Sequence, residues 1–113
     1  MFVHQVDVVP VTTAVGTVLT IRETNTGTRL FQFKNLASST LSILLEYSAD
    51  GGSTWSTDVS SFDLPAGDVI SKVSTRTEVL RVRVSGATDP QGLMIGYSRT
   101  YDDSSYIWSK PTA

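Results

Sequence analysis

The sequence predicts an all-β fold, a single antiparallel β-sandwich of about seven or eight strands. Apolar and polar residues alternate with a period of two along most of the chain, which is the pattern of strands that bury one face. Turn signals rich in Gly, Pro, Asn and Asp recur roughly every 8–12 residues, a spacing typical of sandwiches and barrels. No window of about a dozen residues carries the helical repeat. An immunoglobulin-like and a jelly-roll strand order both fit, and the immunoglobulin-like order is the first expectation.

The composition limits the classes of function. With 113 residues, the chain has the length of one domain with one core. The net charge is −2 and the two signs are interspersed, so we expect neither nucleic-acid binding nor attraction to a membrane. There is no cysteine, which excludes disulfides, zinc–thiolate sites and thiol catalysis within these residues.

The chain divides into a core and two terminal arms. We expect an N-terminal arm or edge strand over residues 1–15, a sandwich core over 16–101 and a C-terminal arm over 102–113. Residues 2–11 form a weak strand or an extended arm, which Pro10 closes. The predicted core strands are residues 17–23, 29–34, 40–48, 54–57, 69–74, 77–85 and 93–101. Residues 59–64 either continue the strand over 54–57 or form a further strand.

The first two core strands each turn a pair of apolar residues to one side. Leu19 and Ile21 share one face of the first strand, and Phe31 and Phe33 share one face of the second. The turn Asn25-Thr26-Gly27 separates the two strands. We expect both pairs to face the core.

The strand over residues 40–48 shows the alternation most clearly. One face carries the apolar residues Leu41, Ile43, Leu45 and Tyr47, and the other carries Ser42, Leu44 and Glu46. Leu44 interrupts the polar face. This predicts a central strand that is covered on both sides.

Two turns bound the later strands. The run Pro65-Ala66-Gly67-Asp68 precedes the strand over 69–74. The segment 86–92 contains Asp89-Pro90 and is expected to be a loop before the last strand.

The strand over residues 77–85 places two cations on one face. Leu80 and Val82 are expected to point inward, and Arg81 and Arg83 outward. A solvated sheet face is one interpretation. The other is a patch that pairs with carboxylates of a partner, because a guanidinium binds carboxylates with two parallel hydrogen bonds.

The run Ser48-Ala49-Asp50-Gly51-Gly52-Ser53-Thr54-Trp55 is the most specific local motif. It fits the pattern S-x-D-x-G-x-T-W and resembles the Asp-box hairpin of sialidases, which is a structural turn there. Asp50 can accept hydrogen bonds from backbone N–H groups, Gly52 permits a positive φ and Trp55 can fold back as an apolar plug. The motif occurs once, whereas a propeller repeats it. We therefore predict a structural turn formed by Ser48, Asp50, Gly52, Thr54 and Trp55.

Residues 35–86 contain, in order, Leu-Ser-Ile-Leu-Leu-Glu-Tyr-Ser, the Asp-box-like turn, Leu-Pro-Ala-Gly-Asp and Val-Leu-Arg-Val-Arg-Val-Ser-Gly. This stretch resembles the small immunoglobulin-like or jelly-roll domains of tailed-bacteriophage virion proteins, including capsid decoration (cement) proteins. The resemblance implies a non-enzymatic protein that binds the outer head surface and stabilises contacts between major capsid subunits. It also implies a homo-oligomer or many copies on a shell, and a place in the virion after synthesis in the host cytoplasm.

The terminal arms carry the other candidate contacts. Tyr106, Ile107 and Trp108 form an apolar triplet that would be unfavourable in water. Tyr and Trp are favoured anchors at interfaces, so the triplet either packs back on its own domain or docks on another subunit. Phe2 in the N-terminal arm has the same two interpretations. The predicted partner-binding residues are Phe2, Arg81, Arg83, Tyr106, Ile107 and Trp108.

No cofactor, metal or catalytic residue is expected. The sequence shows no nucleophile with a base, no cluster of metal ligands and no phosphate loop followed by a helix. Two alternatives to capsid decoration stay open. One is a component of a phage tail, neck or baseplate. The other is a carbohydrate-binding module in which Trp55, Tyr106 and Trp108 stack on sugar rings.

Overall fold

The computed structural model describes residues 4–22 and 29–98. It confirms the predicted antiparallel β-sandwich, with two four-stranded sheets and no helix among these residues. The part of the chain that is described therefore has no helix that could cross a membrane. Residues 59–64 continue the preceding strand and do not form a separate one. The strands are β1 (His4–Val11), β2 (Gly16–Ile21), β3 (Arg29–Asn35), β4 (Leu41–Ser48), β5 (Ser56–Leu64), β6 (Val69–Ser74), β7 (Val79–Ser85) and β8 (Asp89–Ser98).

The two sheets have the strand order of a jelly roll. The first sheet has the order β1-β8-β3-β6, and the second has the order β2-β7-β4-β5. β1 pairs with β8, β2 with β7, β3 with β6 and β4 with β5, all antiparallel, so the chain follows one long hairpin wrapped into two sheets. An immunoglobulin-like order keeps the first strand in the same sheet as the second, fourth and fifth. Here β1 lies in the other sheet, so the immunoglobulin-like expectation is wrong and the jelly-roll one is confirmed.

The last strand begins earlier than predicted, at Asp89. Val11 pairs with Asp89 and Val9 pairs with Leu93, so the ladder between β1 and β8 is irregular between these two pairs. Pro90 lies in this irregular part, where the hydrogen-bond donor that proline lacks is not needed for regular pairing. The predicted loop is therefore confined to residues 86–88, and the prediction was wrong for 89–92 because an irregular ladder accepts a proline that a regular one excludes.

The core lies between the inward faces of the two sheets. Phe31 and Phe33 are fully buried, and their rings stack with 6.1 Å between centroids. Phe31 also lies 6.0 Å from Tyr97 within the same sheet, and Phe33 lies 5.9 Å from Phe62 of the opposite sheet. Aromatic pairs at such distances contribute about 0.5–1.5 kcal/mol beyond their burial. The pair of Phe33 and Phe62 therefore ties one sheet to the other.

Asn35 joins four parts of the chain at one end of the sandwich. Its side-chain amide donates hydrogen bonds to the carbonyl oxygens of Ser39 and Leu64, both at 2.8 Å. Its Oδ1 accepts a hydrogen bond from the N–H of Ala37 at 2.8 Å. Its backbone N–H donates to the carbonyl of Asp68 at 3.0 Å. The end of β3, the β3–β4 loop, the end of β5 and the β5–β6 turn thus meet at one buried side chain.

The substitution Asn35→Ala should lower the free energy of unfolding by roughly 2–4 kcal/mol. It removes three hydrogen bonds, of which the ones to the carbonyl of Leu64 and from the N–H of Ala37 are buried. A hydrogen bond contributes about 0.5–1.5 kcal/mol, and a buried group left without a partner costs about 1–3 kcal/mol. Urea denaturation measures this loss. The control Ser38→Ala, at an exposed position of the same loop, should stay within about 0.5 kcal/mol of wild type. A loss below about 1 kcal/mol for Asn35→Ala would show that the fold does not depend on the hydrogen bonds of the Asn35 side chain.

Candidate functional site

The outward faces of the two sheets are the surfaces on which a partner could dock. We call the outward face of the first sheet face A and that of the second sheet face B. Face A consists of Val6 and Val8 on β1, Met94 and Gly96 on β8, Leu30, Gln32 and Lys34 on β3, and Val69, Ser71 and Val73 on β6. Face B consists of Thr17 and Thr20 on β2, Val79, Arg81 and Arg83 on β7, Ser42, Leu44 and Glu46 on β4, and Thr57 and Asp63 on β5.

Face A is mostly apolar. Val6, Val8 and Val73 are 48%, 47% and 42% exposed, and they are three of the five large hydrophobic residues that are exposed among the described residues. Lys34 is the single charged residue of face A as defined here. Exposed valines on a face with so little charge make face A a candidate surface for contact with another protein.

The centre of face A differs from its two flanks. Leu30 and Gln32 lie at the centre and are buried. The Nε2 group of Gln32 donates a hydrogen bond to Oγ of Ser71 at 3.2 Å. The exposed apolar area of face A therefore lies along β1 on one side and β6 on the other.

β1 turns its valines outward against its local pattern. The triplet Val6-Asp7-Val8 alternates apolar and polar, which in isolation favours buried valines. Asp7 pairs with the fully buried Ile95, so Asp7 lies on the core side of the sheet and the two valines lie on face A. Val9 and Val11 are buried, and a slip of one residue would move both outward. The burial of Val9 and Val11 therefore sets the register of β1, and Val6 and Val8 are exposed on face A as a result.

Arg81 on face B is held by contacts within the chain. Its Nε donates a hydrogen bond to Oε1 of Glu46 at 2.8 Å. Its guanidinium lies 4.1 Å from the centroid of the Trp55 ring. A cation over an indole face contributes about 0.5–1 kcal/mol at a partly exposed site. Arg81 therefore fastens the β4–β5 hairpin, which carries Trp55, to β7.

Arg83 has unused hydrogen-bond donors. Its nearest carboxylate oxygen is Oε1 of Glu46, 4.0 Å from Nη1, and the same oxygen already accepts from Arg81. The Nε of Arg83 is buried and has no hydrogen-bond partner among the described residues. The side chain is 31% exposed, against 19% for Arg81. The two arginines share face B, yet only Arg81 makes a hydrogen bond to Glu46, and Arg83 is the more exposed of the two.

The predicted turn residues form a closed set of hydrogen bonds. Oδ1 of Asp50 accepts from Oγ of Ser48 at 2.6 Å and from the N–H of Thr54 at 2.9 Å. The N–H of Gly52 donates to Oγ of Ser48 at 2.8 Å, and φ of Gly52 is 110°. The indole N–H of Trp55 donates to the carbonyl of Gly52 at 3.0 Å. The bonds are local, so the turn shapes the hairpin and leaves no donor of this set aimed at a ligand.

The other predicted contact residues, Phe2, Tyr106, Ile107 and Trp108, lie outside the described residues. Within the described ranges, no group of three or more His, Cys, Asp or Glu side chains is placed to hold a metal ion.

The sequence reasoning missed the displayed valines of β1. Val6 and Val8 share one phase of the alternation, and Val9 and Val11 share the other. A change of phase within one strand means that both faces carry apolar residues. That change was the available signal.

Two solved structures share this fold. A crystal structure of PirA has a TM-score of 0.58 at 15% sequence identity, covering 84% of this chain and 92% of that one. A structure from Bacillus endospore appendages, which form a novel family of disulfide-linked pili, has a TM-score of 0.55 at 12% identity, covering 89% of each chain. At these identities the likeness shows the fold, a small β-sandwich. No family model and no curated protein sequence matches the chain.

The substitution Asp50→Asn should lower the melting temperature at pH 7 and have a smaller effect in acid. Hydrogen bonds from Ser48 and Thr54 hold the pKa of Asp50 well below its usual range. A carboxylate with a lowered folded-state pKa stabilises the fold above its unfolded pKa of about 3.9, and this contribution is lost as pH falls below that value.

Melting followed by circular dichroism at several pH values measures the effect. The gap in melting temperature between wild type and Asp50→Asn should narrow below about pH 4. Asp68→Asn, which removes one exposed carboxylate from another turn, is the charge-matched control. A gap that stays constant from pH 7 to about pH 2 would contradict the role of the charge.

Proposed function

We propose that this chain is a non-enzymatic structural protein that works in many copies by packing face A against another protein. The form we favour is a capsid decoration protein. It would bind the outer surface of a bacteriophage head and bridge neighbouring subunits of the major capsid protein. Its place would be the virion, after synthesis in the host cytoplasm. The observation that carries the proposal is the outward display of Val6 and Val8 on β1.

The exposure of Val6 and Val8 to solvent requires a physical explanation. A solvated strand face accepts threonine as readily as valine, because both have β-branched side chains that suit a strand. Covering the exposed half of Val6, Val8 and Val73 would contribute about 1 kcal/mol for each side chain. A gain of this size per copy suits a protein that binds a repeating surface many times.

The charge of face A indicates the kind of partner. Lys34 is its single charged residue, so the face offers little to a phosphate backbone. The complementary surface is apolar and close to neutral, as in the buried centre of protein–protein interfaces. This supports a protein partner over a nucleic acid.

The similar structure from Bacillus endospore appendages supports assembly in many copies, because those appendages are pili. They are disulfide-linked, whereas these 113 residues contain no cysteine. Contacts made by this chain would therefore be non-covalent and would depend on apolar burial and charge complementarity.

The geometry of Trp55 does not favour carbohydrate binding at this residue. A sugar ring stacks on an open aromatic face. One face of the Trp55 ring is covered by the guanidinium of Arg81 at 4.1 Å, and the indole N–H already donates to the carbonyl of Gly52 at 3.0 Å. A sugar that stacks on this face would first have to displace Arg81 from both Trp55 and Glu46.

The substitution Val8→Lys should weaken binding to phage capsids from which the protein has been stripped. A lysine on the flank of face A would have to lose its hydration when the face packs against an apolar surface. We expect the dissociation constant from co-sedimentation to rise at least about tenfold, equivalent to about 1.4 kcal/mol.

Thr57→Lys adds the same charge at an exposed position of face B and should leave co-sedimentation unchanged. If Val8→Lys disturbs the fold, Val8→Thr, which keeps the side-chain shape, takes its place in the co-sedimentation assay. Equal binding by wild type and by folded Val8→Lys would contradict the use of face A. Gold-labelled protein seen at one vertex or along a tail, and absent from the head surface, would favour the tail, neck or baseplate alternative.

The substitution Trp108→Ala tests the proposed anchor in the C-terminal arm. If Trp108 contacts the capsid, co-sedimentation should weaken while the melting temperature stays close to wild type, because an interface tryptophan is a frequent source of binding energy. A variant that is folded and binds as well as wild type would remove Trp108 from the interface. The same capsid preparation serves for both measurements.

A further inference from the structure

We propose that the C-terminal segment, residues 99–113, folds back over the middle of face A and covers it, with Ile107 packed on Leu30. The inference goes beyond the proposed function, because it concerns a contact within one chain and holds whatever partner face A binds. Two observations carry it. Outward-facing side chains at the centre of face A are buried, and the segment that follows β8 begins beside them.

Leu30 is buried on the outer side of its sheet. Its neighbour Phe31 points into the core, so Leu30 lies on the opposite side of β3. Leu30 is nevertheless 3% exposed, and it does not belong to the cluster of buried residues between the two sheets. Val73, which faces Leu30 across the ladder, is 42% exposed. Position on the outer face therefore does not by itself bury a side chain, and Leu30 must be covered from outside the sheet.

The covered area is a strip along β3 and β8. Gln32, two residues beyond Leu30 on the same side of β3, is 1% exposed. Gly96 and Ser98 of β8 face these two residues across the ladder and are also buried. None of the described strands packs on the outer side of this sheet. The cover therefore comes from a part of the chain outside the described residues.

The burial of the strip decreases along the strands. Beyond Gln32, the next outward residues are Lys34 on β3 and Met94 on β8, and both are half-buried. The deepest burial lies at the other end of the strip, where β8 finishes at Ser98. A cover that starts from the end of β8 and runs back over the sheet explains this direction.

The C-terminal segment has the length to form this cover. It begins directly after Ser98, which faces Leu30. Ile107 follows later in the segment, after the run Asp102-Asp103-Ser104-Ser105, whose residue types favour turns. The strip from Ser98 to Gly96 is about 7 Å long, because a strand rises about 3.4 Å per residue. The residues between Ser98 and Ile107 therefore suffice for a turn and a return over the strip.

The side chains of the segment suit the strip. Ile107 has no polar atom and matches Leu30, whereas a buried tyrosine hydroxyl or indole N–H needs a hydrogen-bond partner. Successive side chains of an extended segment point to opposite sides. Contact of Ile107 with Leu30 therefore turns Tyr106 and Trp108 outward. They would lie between the exposed valines of β1 and β6 and extend the apolar surface of face A.

Two shorter parts of the chain outside the described residues begin at the same end of the sandwich. Residues 23–28 connect β2 of the second sheet to β3 of the first, so their length is used in crossing about 10 Å between the sheets. Residues 1–3 precede β1, on the flank where Val6 stays exposed. The C-terminal segment is therefore the better occupant of the strip.

An engineered disulfide tests the contact in the full chain. These 113 residues contain no cysteine, so Leu30→Cys with Ile107→Cys introduces a single pair. A disulfide needs Cβ atoms about 3.5–4.5 Å apart, and mild oxidation should link the pair within one chain. The control pair Val15→Cys with Ile107→Cys places one thiol at an exposed position at the opposite end of the sandwich and should stay unlinked. No link for the first pair, or a link only between two chains, would overturn the proposal.

The rate of thiol labelling measures the cover in a second way. Leu30→Cys should react at least about tenfold more slowly than Val73→Cys, because a covered thiol reacts only when the segment opens. Adding Ile107→Ser should raise the rate at Leu30→Cys at least about tenfold and leave the rate at Val73→Cys unchanged. Adding Val15→Ser, a similar change at an exposed apolar residue elsewhere, should alter neither rate.

Circular dichroism confirms that each variant is folded. If Leu30→Cys disturbs the fold, Ser98→Cys, which changes one atom of a fully buried residue opposite Leu30, takes its place. Slow labelling of Leu30→Cys that persists in the folded Ile107→Ser background would overturn the proposal, because another part of the chain would then form the cover. No capsid is used in these measurements, so their outcome is independent of the proposed function.

Discussion

The pairing of β8 with strands on both of its sides determines which residues of the first sheet reach the surface. β8 lies between β1 and β3, and its residues Leu93 and Ile95 are fully buried. Residues that face each other across an antiparallel ladder lie on the same side of the sheet. The buried side of β8 therefore assigns the inward and outward sides of both neighbours. The outward position of Val6 and Val8 follows from this ladder and not from their own hydrophobicity.

The two outward faces differ in the kind of interaction they offer. Face A presents valines with one lysine, so its contribution to binding comes from apolar burial and depends little on salt. Face B presents Arg83 and Asp63 among small polar residues, so its contribution is electrostatic and weakens with salt. A sandwich with two dissimilar faces can therefore make two different kinds of contact.

Two hydrogen-bond networks hold the turns at the two ends of the sandwich. Asp50 organises the β4–β5 turn through bonds within a few residues, which is why the turn could be recognised as a motif. Asn35 organises the opposite end through bonds to Ser39 and Leu64, of which Leu64 is distant in sequence. A single asparagine after a strand has no pattern that distinguishes it from an ordinary turn residue. The first network was therefore predictable from the sequence, and the second was not.

The sequence by itself determined the class of the fold, most strand positions, the inward aromatic pair of Phe31 and Phe33, and the shared face of Arg81 and Arg83. All of these depend on the period of two along a strand, which is local information. The tertiary structure decided the jelly-roll order, the display of Val6 and Val8, and the difference between the two arginines. These depend on which strands become neighbours, because the neighbour fixes the register and supplies or withholds a partner such as Glu46. The all-β sandwich is thus a property of the local pattern, whereas its surfaces for binding are a property of the strand order.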